Sequence, residues 1–114
     1  MESHRNIEQE LSTMLGQLGE RIPGVLSGFT KMQQATFQAG ALDEKTKELI
    51  ALGIAIAGSC DGCMAWHNSA LAKLGATREE IAEVAGVAVE MGGGMALYAA
   101  AKAVTGFDEF STKD

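Results

Sequence analysis

Apolar positions recur every third or fourth residue through most of the chain. No stretch alternates as a half-buried strand would, so the pattern predicts an all-α protein. Leu11, Met14, Leu15 and Leu18 form the first stripe, with Glu8, Glu10 and Glu20 on other faces, and predict a helix over 7–21. Pro23 and Gly24 break it. Leu26, Phe29, Met32 and Phe37 predict a second helix over 25–38, closed by Gly40. Asp43 is placed to N-cap a third. Its second half, Leu49 to Ala57, is apolar on all sides and is expected to be the buried central helix. Gly58 and Ser59 end it, and a fourth helix runs from about Cys60 to Leu74, stopped by Gly75. Thr77 and Glu80 have the T-x-x-E spacing of a capping box and open a fifth helix to Met91.

Gly92, Gly93 and Gly94 read as a tight turn between helices. No strand precedes them and no Gly-Lys-Ser/Thr follows, as a phosphate loop would need. An alanine-rich sixth helix is expected over 95–104, then a polar tail over 106–114, loosely held except where Phe107 and Phe110 dock. About six helices in one domain, 1–114, is the expected architecture. Met32, Met64, Met91 and Met95 read as gap-filling core residues, and Trp66 as core or interface.

Charge narrows the function classes. The net charge is −6, and the nine Lys and Arg are scattered singly, so nucleic-acid binding is not expected. The N-terminus leads into polar residues rather than a signal-like stretch, and no apolar run approaches the roughly 18 residues of a membrane span. A cytoplasmic protein is the expectation. A chain this small, with an apolar third helix and an alanine-rich sixth, is also expected to assemble with copies of itself.

The candidate chemistry lies at Cys60-Asp61-Gly62-Cys63, followed by His67. Two thiols three residues apart can close a disulfide, and a histidine four residues after Cys63 shares its helix face. A pair at a helix start also meets the positive end of the helix dipole, which favours thiolate. Glu48, at the polar-to-apolar transition of the third helix, could hold His67 in a productive tautomer. In a reducing compartment a C-x-x-C is catalytic or metal-binding more often than structural. The metal alternative uses Cys60, Cys63 and His67, with Glu48 as a candidate fourth ligand. No second Cys or His pair completes it, and His4 reads as a solvated residue in a frayed terminus. The bland alternative for Glu48 is a surface carboxylate paired with Lys45 or Lys47.

The segment 42–67, LDEKTKELIALGIAIAGSCDGCMAWH, resembles the core of the AhpD-like (alkylhydroperoxidase) branch of the carboxymuconolactone decarboxylase superfamily, and the similarity continues to about Phe110. The resemblance implies an AhpD-like helical bundle assembled into homo-oligomers, often hexamers built as trimers of dimers, with no cofactor. It also implies a thiol-dependent antioxidant peroxidase or disulfide oxidoreductase. Its substrate would be a hydroperoxide or a disulfide, and a thiol reductant or redox protein would be its partner. Cys60 and Cys63 would be the redox pair and Glu48 and His67 the proton relay. Cys63 is expected to attack and Cys60 to resolve. The prototype carries a second histidine directly before the second cysteine, where this chain has Gly62, so the relay is thinner. Asp61 adds a charge that opposes thiolate. The decarboxylase branch acts on a lactone and does not depend on a cysteine pair, so the C-x-x-C-x-x-x-H argues against that branch; a lyase using Glu48 and His67 without the thiols is the further alternative.

Overall fold

The computed structural model describes residues 2–111. They form six α-helices and one 3₁₀ turn: α1 (His4–Arg21), α2 (Pro23–Phe37), α3 (Glu44–Ala57), α4 (Asp61–Lys73), α5 (Arg78–Gly92), the 3₁₀ turn (Gly93–Ala96) and α6 (Leu97–Ser111). Local signals set most of these boundaries. The Asp43 carboxylate accepts from the Thr46 amide, and the Thr46 hydroxyl together with that amide holds its pKa below the ordinary carboxylate value. Thr77 and Glu80 close a reciprocal capping box. Gly75, at φ 81°, stops α4 with its amide on Ala72 and the Ala76 amide on Leu71, a Schellman ending.

α3 packs against α4 and α5, while α6 lies against α5 and α4. α1 crosses α4 and α6, and α2 touches α1 and the edge of α3. The core between them is Leu52, Ile56, Met64, Leu71, Ile81 and Phe107, interleaved with alanines such as Ala88, Ala99 and Ala103 that let the helices approach closely.

Several expectations fail. α6 does not end near Val104; it runs to Ser111, and Phe107 is fully buried, so 106–111 is not a loose tail. Residues 112–114 lie outside the described residues. Met64 is buried, but Met32, Met91 and Met95 are exposed, the last at 88 %. α3 is not buried all round: Leu52, Ala55 and Ile56 face the core, while Ile54 is 68 % exposed. Finally, the helical run Arg78–Ser111 is long and apolar enough to cross a membrane by length and composition. Its physical form is different, because the 3₁₀ turn with Gly93 at φ 73° folds α6 back on α5, and each arm has only 15 residues.

His4 is also misread by its position near the chain end. It is buried in the first turn of α1, not solvated. Ser3 caps the helix, and the Glu109 carboxylate accepts the His4 and Arg5 amides. The Arg5 guanidinium donates to the Glu109 carbonyl and lies 5.2 Å from the Phe110 ring centroid. The imidazole fills the space that a side chain at Gly106 would need. The Asn68 amide nitrogen donates both to the Ala103 carbonyl at 2.9 Å and to His4 Nδ1 at 3.1 Å. Nδ1 is therefore the unprotonated nitrogen.

Burial lowers the His4 pKa from its ordinary 6.5; Glu109 and Asp61 oppose this and Lys102 adds to it. The folded chain thus binds this proton less readily than the unfolded chain. The stability it allows is complete above about pH 6.5 and is lost as pH falls through the lower folded value. The denaturant midpoint should fall between pH 7.5 and 5.5, and by less in His4→Gln. An equal fall in both proteins would show that His4 is not the titrating group.

Candidate functional site

The site is built where α3 turns into α4. Ser59 adopts φ 55°, and the Cys60 amide reaches back to the Ala55 carbonyl while the Ser59 amide reaches Ile56. This is a second Schellman ending, with a serine where glycine is usual. It reverses the chain in three residues. Cys60 is at once the last residue of that motif and the N-cap of α4, its sulfur accepting the Cys63 amide at 3.2 Å. Cys60 and Cys63 are joined by a disulfide with their Cα atoms 5.3 Å apart. Cys63 is exposed and Cys60 half-buried.

One turn further along α4, His67 Nδ1 lies 2.6 Å from Glu48 Oε1, from α3. Glu48 is buried and ionised carboxylates only accept, so the ring nitrogen is the donor, which leaves Nε2 as the free nitrogen. The reading of Glu48 as a surface carboxylate fails, because its presumed partners are engaged elsewhere. Lys45 pairs with Glu80 at 2.9 Å, and Lys47 donates to the carbonyls of Thr36 and Gln38 at the end of α2. Phe37 lies against the His67 ring at a tilt, with centroids 5.9 Å apart.

An open cavity of about 540 Å³ adjoins Glu48 and His67, walled by Gln33, Gln34, Phe37 and Trp66 among others. Neither sulfur lines it. Trp66, expected as core or interface, is exposed and outside the core, and it borders this cavity. The residues of α2 that face the cavity were not legible as site residues, because nothing in their spacing ties them to a motif some 30 residues away.

Two further features bear on the cysteine pair. A side chain at Gly62 would meet the Leu11 methyl of α1 at 3.2 Å, so α1 narrows the space where the prototype's second histidine would stand. Asp61 does not stand as an isolated charge: Lys102 of α6 reaches it at 2.6 Å. As for the metal alternative, its two thiols are joined to each other and the His67 Nδ1 is taken by Glu48. Among the described residues no group of three His, Cys, Asp or Glu is placed to hold an ion.

An all-helical bundle with a C-x-x-C disulfide at a helix start, and a carboxylate–histidine pair one turn on, defines a class of small helical thiol proteins. The match to a family model is specific: residues 23–106 fit the carboxymuconolactone decarboxylase family, and the chain belongs to that family. A solved carboxymuconolactone decarboxylase family protein from Legionella pneumophila superposes with a TM-score of 0.91 at 45 % identity, covering 96 % of this chain and 97 % of its own. A family member from Thermotoga maritima, for which a part in the antioxidative response has been suggested, superposes with a TM-score of 0.80 at 29 % identity, over 90 % and 87 % of the two chains. A Cupriavidus necator protein is 39 % identical over 87 % of this chain and 88 % of its own. Protein 4 of the cox locus of Paracoccus denitrificans is 36 % identical over 86 % and 88 %.

Proposed function

We propose that the protein is an AhpD-like thiol peroxidase or disulfide oxidoreductase of the cytoplasm. The observation that carries this is the closed Cys60–Cys63 pair at the start of α4, with a Glu48-oriented imidazole one turn away. The suggested antioxidative part of the Thermotoga maritima relative supports it.

In the reaction, the Cys63 thiolate attacks the distal oxygen of a hydroperoxide, giving a sulfenic acid and releasing an alcohol. Cys60 then attacks the sulfenic sulfur, the disulfide forms and water leaves. A thiol reductant or a redox protein reopens the bond, taking the oxidation as its own disulfide. His67, held through Nδ1, offers Nε2 to take the Cys63 proton and return it to the leaving oxygen.

The test is the intact mass of the fully reduced protein before and after one equivalent of an organic hydroperoxide. A loss of about 2 Da that dithiothreitol reverses is expected, because two thiol hydrogens leave when the disulfide forms. An unchanged mass with free thiols still present would remove the peroxidase activity.

A second reading, a lyase using Glu48 and His67 alone, draws support from the cavity that adjoins those two residues and neither sulfur. It requires activity in a protein lacking both cysteines.

We also propose that the protein is a homo-oligomer, assembled in the manner of a trimer of dimers. The face between α3 and α5 supports this: Ile50, Ile54, Val87 and Met91 are exposed along one groove of about 440 Å³. Light scattering at micromolar concentration should give a multiple of the 11.9 kDa chain mass, and a monomer would contradict it.

A further inference from the structure

We infer that Lys102 is a positioning residue for the cysteine pair: by neutralising Asp61 inside the Cys60–Cys63 loop, it sets how readily the disulfide opens. The inference rests on the redox reading above and adds to it a residue that no motif contains.

Asp61 is the first residue of α4, between Cys60 and the rest of the helix. Its carboxylate and a cysteine thiolate would compete for the same few amides and the same positive helix end. Side by side and unrelieved, the two anions repel, and the thiolate is the one that suffers. Lys102 lies on α6, 41 residues away in sequence, yet its ammonium sits 2.6 Å from Asp61 Oδ1. It is not a free surface lysine. Its side chain is only 15 % exposed, and the ammonium also lies 4.6 Å from the centroid of the Tyr98 ring. The Asp61 side chain, 49 % exposed, is the more solvated partner. Of the other charged or titratable groups near the pair, His4 from α1 is within electrostatic range of both partners and of Glu109. Burial keeps it neutral near neutral pH.

Opening follows a balanced exchange. A thiolate of an external dithiol, such as dithiothreitol, attacks Cys63 Sγ. The S–S bond breaks and its electron pair leaves on Cys60 Sγ as thiolate. The second thiolate of the reductant then displaces Cys63, and the reductant departs as its own disulfide. The Cys60 sulfur already accepts the Cys63 amide, so the leaving charge develops at the helix N-terminus beside Asp61. Lys102 makes that leaving group better by cancelling the nearest negative charge.

A purely structural tether between α4 and α6 predicts something different, and the difference is one of sign. Lys102→Met and Asp61→Asn both break the contact, so a tether would shift the pair in the same direction in both variants. Charge neutralisation shifts them oppositely. Lys102→Met leaves Asp61 bare and favours the disulfide. Asp61→Asn leaves Lys102 bare and favours the dithiol. The double variant returns towards the wild type, and Lys102→Arg stays near it.

The experiment equilibrates each protein with a dithiothreitol redox buffer at pH 7.5 and reads the dithiol fraction by mass after alkylation. Because the pair is partly exposed, the expected change in the dithiol-to-disulfide ratio is about three- to tenfold in each single variant, or about 15–30 mV for a two-electron couple. It should shrink in 1 M salt. The absorbance of the reduced proteins at 240 nm should show thiolate forming at higher pH in Lys102→Met and at lower pH in Asp61→Asn. Shifts of the same sign, or none in either variant, overturn the role of Lys102 and leave the redox reading standing. If Lys102→Met does not fold, Lys102→Gln takes its place in the comparison of signs with Asp61→Asn. A wild-type pair that does not interconvert with the buffer at all overturns both.

Discussion

Cys63→Ser should show no hydroperoxide turnover above the background of the reducing thiol, and no 2 Da mass change, while keeping its helical circular dichroism. Cys63 is the more exposed residue of the pair, and its removal takes away both the attacking thiolate and one half of the disulfide. Its side chain is not needed for the capping of the helix, since the bond to the Cys60 sulfur is made by the Cys63 backbone amide. Cys60→Ser separates the two roles. A serine at that position still caps α4, so structure is preserved. One equivalent of hydroperoxide should now stop at a Cys63 sulfenic acid, trapped by dimedone, with multiple turnover lost. Dimedone labelling of Cys60 in Cys63→Ser, with none of Cys63 in Cys60→Ser, would reverse the assignment of attacker and resolver. Full turnover in either variant would remove the two-thiol mechanism.

The second large effect is expected at Glu48. Glu48→Gln retains shape and one hydrogen-bonding oxygen but loses the charge that orients and supports the imidazole. Removing such a partner typically lowers activity by about 10- to 100-fold. The loss should fall on the rate of thiol oxidation measured by stopped flow, and the rate of disulfide reduction by dithiothreitol should change much less. His67→Gln should lower the same step at least as far, because it removes the base itself. Were Glu48→Gln and His67→Gln combined to lose the sum of the two free energies, the pair would not be acting as one unit. Equal loss in the single and double variants is the expected outcome.

Much of this site was legible because its signals are local. Asp43, Thr77 with Glu80, and Gly75 fix helix ends within one turn of themselves, and their reading holds. Cys60, Cys63 and His67 lie within eight residues, and the 19-residue step back to Glu48 spans one helix reversal. What was not legible depends on distant partners. His4 is buried because Asn68, Gly106 and Glu109 surround it from two other helices. α6 continues past Val104 because that contact and the burial of Phe107 hold its last turns. Lys102 meets Asp61 only because α6 lies across the start of α4. No periodicity within either segment carries that information. The exposed methionines of α5 and the 3₁₀ turn mislead for the opposite reason, since hydrophobicity alone does not say which apolar side chains reach the core.

The backbone turns α3 into α4 through three bonds, Cys60 to Ala55, Ser59 to Ile56, and Met64 to Cys60, and a sulfur enters only where Cys60 accepts the Cys63 amide. None of them requires the two sulfurs to be joined. Opening the disulfide should therefore leave the path of the chain around it in place. A partner that tells the two states apart would then have to read them by touch, at the sulfurs themselves.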